Sequence, residues 1–120
     1  MDAISVYIAF MAFDENHVEK TLPDKWALLQ KSERAGFEHE LHHEMCEGHI
    51  LYKCPLAAVA RWGSRDDFLF IELQGAKDLA QNHCHIVHLT WSKETKPDYP
   101  WVVSFTDYAD FVRNWRKMFD

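Results

Sequence analysis

The sequence predicts an α+β fold, with N-terminal helices, an antiparallel sheet of about four strands and a C-terminal helix. Apolar residues recur at helical spacing in the first part of the chain and again near its end. Between these regions lie short apolar runs that are bounded by turn residues. This order is typical of an antiparallel meander with helices packed on one face. A length of 120 residues, 48% of them hydrophobic, predicts a single domain over residues 1–120.

The first apolar segment covers residues 3–13 and fits helical and strand spacing equally well. Its second half is rich in Met, Ala and Phe, which favours a helix. It has no basic flank and no cleavage site, and Asp14-Glu15-Asn16 ends it before it is long enough to span a bilayer. We interpret it as a core element of a cytoplasmic protein. Three cysteines without a CxxC pair agree with reduced thiols in that compartment.

Two helical segments are predicted next. The first begins at Leu22-Pro23-Asp24 and is broken or bent at Ala35-Gly36. The second is amphipathic, because its apolar residues recur at i, i+4 and i+8, and Glu47-Gly48 ends it. Its inward residues are predicted to be Phe37, Leu41 and Met45.

The strands and the last helix follow from apolar runs and a capping residue. The predicted strands are residues 57–62, 68–73, 85–91 and Trp101–Phe105. In the third of these, Leu89 and Trp91 are expected to be buried together in the main core. Thr106 or Asp107 can cap the final helix. The inward face of that helix is predicted to be Tyr108, Phe111, Trp115 and Met118.

A cluster of histidines carries one candidate chemistry. His39-Glu40-Leu41-His42-His43 matches HExxH, in which two histidines one turn apart bind zinc and the glutamate acts as general base. His49 has the spacing of a third ligand, although Cys46 replaces the glycine of the extended motif. The alternative is a solvated helix face, which is the interpretation we favour, with no metal or other cofactor. His83, His85 and His88 lie on or beside a strand, where pairing with a backbone group is the commoner role.

Charge points to a protein partner. Thirteen basic and nineteen acidic residues give a formal charge of -6, which disfavours nucleic acid and is compatible with a basic protein partner, the alternative being the ordinary solubility of an acidic protein. No Ser-His-Asp or Cys-His group has a local signature, so the chain is not predicted to be an enzyme. The candidate partner-binding residues are Glu38, Glu40, Glu44 and Glu47 on the amphipathic helix and Asp66 and Asp67 in a loop.

Five short pieces of the chain carry a resemblance. They are Gly48-His49-Ile50-Leu51-Tyr52, Ala58-Val59-Ala60-Arg61, Asp66-Asp67-Phe68-Leu69-Phe70, Val87-His88-Leu89-Thr90-Trp91 and Tyr99-Pro100-Trp101. In this order they resemble a group of small bacterial proteins that are suspected immunity proteins of polymorphic toxin systems. The resemblance implies a binding protein that neutralises a cognate toxin domain stoichiometrically. It also implies that His39 and His43 occupy ordinary surface positions. A small zinc-dependent hydrolase using His39, His43, His49 and Glu40 is the alternative, and a structural or oligomerisation domain is a third possibility.

Overall fold

Five strands and three α-helices make up the described part of the chain, which is residues 14–75 and 78–119 of the computed structural model. The predicted helix at residues 3–13 lies outside these residues. The strands are β1 (Trp26–Leu28), β2 (Leu56–Trp62), β3 (Asp67–Glu72), β4 (Cys84–His88) and β5 (Trp101–Phe105). The α-helices are α1 (Glu15–Thr21), α2 (Lys31–Glu44) and α3 (Tyr108–Asn114), and 3-10 turns cover Leu79–Gln81 and Trp115–Met118.

The strands form one antiparallel sheet in chain order, so the predicted α+β fold is confirmed, with a short fifth strand added at one edge. Helices cover both faces of the sheet, and the prediction that they pack on one face is wrong. Phe68 and Phe70 belong to the cluster under α2, whereas Leu69 and Ile71 belong to the cluster that includes Phe111 of α3. Successive residues of a strand point to opposite faces, so this unbroken apolar run requires cover on both.

The region around Leu22 differs from the prediction. Asp14 caps α1, its carboxylate accepting a hydrogen bond from His17 N at 3.1 Å, and Leu22 lies just after the end of that helix. The segment that follows is β1 and not a helix, because it pairs with β2 and places Trp26 edge-to-face against Phe111, with the ring centroids 5.1 Å apart. These contacts come from distant parts of the chain, and they outweigh local helical spacing.

The amphipathic helix is confirmed as α2, with Leu41 and Met45 buried and Phe37 partly buried. Its first turn is closed by Glu33, whose carboxylate accepts a hydrogen bond from Gln30 N at 3.2 Å. The predicted bend at Ala35-Gly36 is absent, because the helix runs through Gly36 on its exposed side. The helix ends at Glu44, three residues before the predicted end.

Two predicted core residues near the ends of elements are exposed. β4 ends at His88, and although Leu89 is buried, Trp91 is 51% exposed with a left-handed backbone (φ 60°). Met118 is exposed because α3 ends at Asn114 and a 3-10 turn then changes the helical period. The cap of α3 is confirmed as Asp107, whose carboxylate accepts a hydrogen bond from Asp110 N at 2.8 Å. No helix among residues 14–75 and 78–119 is long and apolar enough to span a membrane.

The different burial of Leu89 and Trp91 has a measurable consequence. We expect Leu89→Ala to lower the free energy of unfolding by about 2–5 kcal/mol, because a buried side chain is removed from the core. Trp91→Ala should change it by less than about 1 kcal/mol, because half of that side chain already faces solvent. Urea denaturation of the two variants measures both values. Equal losses would contradict the exposed position of Trp91.

Candidate functional site

A long connection between β4 and β5, residues 89–100, is held in place by the end of α2. We call this connection the clasped loop. The carboxylate of Glu44 accepts hydrogen bonds from Thr90 N at 2.8 Å, from Thr90 Oγ1 at 3.0 Å and from Trp91 N at 2.8 Å. The main-chain oxygen of Glu44 accepts another from Glu94 N at 2.9 Å. One residue, 0% exposed, therefore sets the path of the loop as it leaves β4.

The turn after α2 fastens the other end of the clasped loop. His49 is 5% exposed, and its Nδ1 accepts a hydrogen bond from Leu51 N at 3.0 Å. The proton must then be on Nε2, which donates to Pro100 O at 2.8 Å. Gly48, with φ 98°, lies against Pro97, and a Cβ there would come within 3.3 Å of the proline Cβ. One end of the loop is thus held by the last residue of α2, and the other end by the turn that follows this helix.

The zinc-binding alternative is not supported by this arrangement. His39 and His43 lie exposed on α2, whereas both ring nitrogens of His49 are engaged in hydrogen bonds. A shallow groove of about 270 Å³ beside α2 is lined by His39 and His42 but not by His43 or His49. Across the described ranges, no three His, Cys, Asp or Glu residues lie where they could hold a metal ion.

Two of the six predicted partner-binding residues are buried, and that part of the prediction is wrong. Glu44 forms the clasp described above. Asp67 is 1% exposed, and its Oδ2 accepts a hydrogen bond from Arg65 Nε at 2.8 Å while its Oδ1 lies 3.0 Å from His88 Nδ1. Both acids looked like surface residues in the sequence because their partners come from other segments. A carboxylate this deeply buried cannot contact another protein.

The other four acids are accessible to different degrees. Glu47 is exposed, and Asp66 is half-buried with its Oδ1 3.5 Å from Arg61 Nη2. Glu38 is also half-buried, and its Oε2 accepts a hydrogen bond from Ala58 N at 2.8 Å. Burial raises the pKa of Glu38, although this hydrogen bond and Arg34 lower it. The predicted acidic face of α2 is therefore smaller than the sequence suggests, and the most accessible of these acids, Glu47, lies in the turn that follows the helix.

Glu40 and Glu44 form an acidic pair one helical turn apart. The pKa of Glu44 is raised to about 7, chiefly by burial and also by a hydrogen bond with the Glu40 side chain, against the lowering effect of the Thr90 and Trp91 donors. Oε2 of Glu40 is buried and has no hydrogen-bond partner among the described residues. Two carboxylates cannot hydrogen-bond to each other unless one holds a proton. A hydrogen bond between Glu40 and Glu44 therefore requires that the pair hold a proton.

Exposed aromatic residues concentrate on the clasped loop and on the turn that holds it. Among the described residues, the large apolar side chains that face solvent are Ile50, Tyr52, Trp91, Tyr99, Trp101 and Met118. The first five lie in the turn after α2, in the clasped loop or directly after it. Trp91 was missed because its spacing from Val87 and Leu89 matches a strand. The polar run Ser92-Lys93-Glu94-Thr95-Lys96 beside it was the signal that the strand had already ended.

Comparison with protein-family models, curated proteins and solved structures finds no match to this chain. The resemblance to suspected immunity proteins therefore stays a prediction. The geometry itself describes a loop that is rigidly held at both ends and carries exposed aromatic side chains, which is the usual construction of a binding surface.

The acidic pair predicts how stability depends on pH. The pKa of Glu44 is raised in the folded protein from an ordinary value of 4.5, so between these values the folded state binds more protons than the unfolded state. This group therefore stabilises the fold at low pH, and its contribution is lost as the pH rises through about 7. We expect a loss of up to about 1.4 kcal/mol per pH unit, measured by urea denaturation between pH 5 and pH 8.

Glu40→Gln should flatten this dependence, because the amide can donate a hydrogen bond to the Glu44 carboxylate and removes the repulsion. The variant should be more stable than the wild type at pH 8 and similar to it at pH 5. Glu47→Gln is the matched control, since Glu47 is exposed and should leave the pH profile unchanged. Identical profiles for the wild type and Glu40→Gln would show that the pair does not share a proton.

Metal binding is tested separately. We expect a chelator to leave the melting temperature unchanged and elemental analysis to find no stoichiometric zinc, because His49 is already committed to two hydrogen bonds. One tightly held zinc ion per chain, lost in His43→Ala, would contradict this assignment of His49.

Proposed function

We propose that the protein is an intracellular binding protein that neutralises a cognate bacterial toxin domain by stoichiometric binding. The observation that carries the proposal is the clasp, in which a carboxylate with no solvent exposure fixes a loop that presents Trp91 and Tyr99 to solvent. Inhibition would be steric, with the loop covering the active site of the toxin domain or a neighbouring surface, and without turnover.

The energetics of the clasp support a role at the surface. Burying a carboxylate costs free energy unless its oxygens are satisfied, and here both accept hydrogen bonds from the loop. The result is a defined conformation for a loop that, beyond Leu89, lies outside the two apolar clusters of buried residues. A loop ordered before binding loses less conformational entropy when the partner arrives, which favours high affinity.

The side chains presented by the loop suit a protein interface. Trp91 is 51% exposed and Tyr99 is 48% exposed, and both rings offer apolar area together with a polar group. Tryptophan and tyrosine are enriched among the residues that contribute most to protein–protein affinity. Trp91 also packs on Phe37 of α2 with the ring centroids 6.2 Å apart, which restricts its motion before a partner binds.

Charge supports a basic partner. The chain carries a formal charge of -6, and Glu47 and Asp98 are exposed acids in the turn after α2 and in the clasped loop. Carboxylates at the rim of an interface mainly accelerate association, and added salt screens their effect. The association rate should therefore fall as the salt concentration rises.

The proposal is tested by co-expression with the C-terminal domain encoded by the adjacent gene. The wild-type chain should restore growth and co-purify with that domain. We expect the double variant Trp91→Ala/Tyr99→Ala to remain folded and to bind at least about 100-fold more weakly, because two exposed aromatic anchors are lost. Met118→Ala is the matched control, as an exposed apolar residue on the C-terminal 3-10 turn. It should bind like the wild type.

Charge-reversing substitutions measure the electrostatic contribution to the association rate. Glu47→Lys/Asp98→Lys should slow association several-fold at low salt and leave the dissociation rate nearly unchanged. Glu19→Lys/Asp24→Lys, at exposed acids on α1 and in the turn before β1, is the charge-matched control. A neighbouring domain that is not toxic, or a toxic one that fails to bind the wild-type chain, would refute the inhibitor role. Full binding by the aromatic double variant would instead refute only the assignment of the clasped loop as the interface.

A further inference from the structure

Three polar residues lie side by side on adjacent strands at the edge of the sheet. Glu72 is the last residue of β3, His85 lies on β4 and Ser104 lies on β5. His85 is directly opposite both Phe70 and Ser104 in the strand register, so these side chains share one face. Glu72 is two residues from Phe70 and points to the same face.

The three side chains form a continuous hydrogen-bonded chain. Nε2 of His85 lies 2.7 Å from Glu72 Oε2, and Nδ1 lies 2.8 Å from Ser104 Oγ. An ionised carboxylate only accepts hydrogen bonds, so Nε2 carries the proton and Nδ1 presents its lone pair to the serine hydroxyl. His85 is 4% exposed, whereas Ser104 is exposed to solvent. A buried base therefore contacts an accessible hydroxyl.

We propose that Ser104 is a nucleophile for acyl transfer from small esters, with His85 as its general base and Glu72 as the residue that positions the imidazole. The arrangement has the relations that such chemistry requires, namely a nucleophile bonded to a base and a base bonded to a carboxylate. Burial lowers the pKa of His85, although Glu72 raises it, and the nearby His83 lowers it as well. The lower pKa favours the neutral imidazole that a general base needs.

The strand register also places a hydrogen-bond donor for the developing oxyanion. Just outside the two ends of β4, Leu89 N donates a hydrogen bond to Asp66 O, and His83 O accepts one from Glu72 N. The odd-numbered residues from His83 to Leu89 therefore form their backbone hydrogen bonds with β3 and the residues beside it. Successive residues of an antiparallel strand form their backbone hydrogen bonds with the strands on alternate sides. The even-numbered residues of β4 are therefore hydrogen-bonded to β5. Their partners include Val103 and Phe105, so Ser104 N is directed away from β4, to the side of β5 where no other described strand pairs.

The reaction follows from these positions. Ser104 Oγ attacks the ester carbonyl carbon while its proton moves to His85 Nδ1, and Ser104 N stabilises the oxyanion. The bond to the leaving alkoxide breaks as His85 Nδ1 returns the proton to it, which leaves an acyl-serine and an alcohol. Water then attacks the acyl-serine, again with His85 Nδ1 taking and returning a proton, and releases the carboxylic acid. The net reaction is hydrolysis of one ester by one water molecule.

The site selects esters over amides. The oxyanion donor that the register supplies is the N–H of Ser104, and one donor stabilises the oxyanion less than two would. An activated ester has a good leaving group and needs less assistance than an amide. Glu72, whose side chain is 26% exposed, lies in the same row, so uncharged or cationic esters are favoured over anionic ones.

The experiment uses a fluorophosphonate probe and p-nitrophenyl acetate on the full chain. We expect the probe to label Ser104 stoichiometrically, as located by peptide mass spectrometry, and Ser104→Ala to lose both labelling and ester hydrolysis. Ser64→Ala is the matched control, because Ser64 is equally exposed in the turn between β2 and β3. It should behave like the wild type.

Glu72→Gln tests the positioning role. It keeps a hydrogen-bonding side chain but removes the charge, and the labelling rate should fall about 100-fold while the folded circular dichroism spectrum is kept. The rate in the wild type should rise with pH as His85 loses its proton, and this rise should move in Glu72→Gln because the charge that faces His85 has changed. A wild-type protein that is not labelled at Ser104, or that hydrolyses the ester no faster than Ser104→Ala, would overturn the proposal. These variants lie outside the clasped loop, so the outcome is independent of partner binding.

Discussion

The carboxylate of Glu44 determines more of this structure than any other single group. Glu44 is the last residue of α2, and its carboxylate accepts three hydrogen bonds from residues 90 and 91. The main-chain oxygen of the same residue accepts a fourth from Glu94 N. These bonds turn the chain away from the sheet directly after Leu89 and bring Trp91 to the surface. The helix end, the end of β4 and the start of the clasped loop are therefore set by one buried group. An uncompensated carboxylate at this depth would be strongly unfavourable, so the three features are expected to form together.

The sheet gives this arrangement its support. Each central strand is apolar on both faces, and each face has its own cluster of buried side chains. α2 covers one face and ends at the clasped loop, whereas α1, α3 and the 3-10 turn at Trp115–Met118 pack on the other. The clasped loop and the apolar cluster under α3 consequently lie on opposite sides of the sheet. Substitutions on the α3 side should affect stability more than the shape of the loop.

Much of the fold could be predicted from local patterns, because those patterns report the burial of apolar residues. The run from Phe68 to Ile71, the spacing of Leu41 and Met45, and the cap at Asp107 all identified their elements. The site could not be found in this way. Glu44 and Asp67 look like surface acids in the sequence. Their hydrogen-bond partners, Thr90 and His88, lie 46 and 21 positions further along the chain. The same reason hides the row formed by Glu72, His85 and Ser104. His85 is 13 residues from Glu72 and 19 from Ser104, and the strand register is what brings the three together.

The hydrogen bond from Ala58 N to Glu38 has a consequence for assembly. Ala58 lies on the part of β2 that extends beyond its pairing with β1, and the carboxylate takes the place that a further strand would occupy. β5, at the opposite end of the sheet, pairs with β4 and with no other strand among the described residues. The two ends of the sheet thus differ, because part of the edge of β2 is already occupied by a side chain of the same molecule. A second molecule that added a strand along this part of β2 would first have to displace the Glu38 carboxylate.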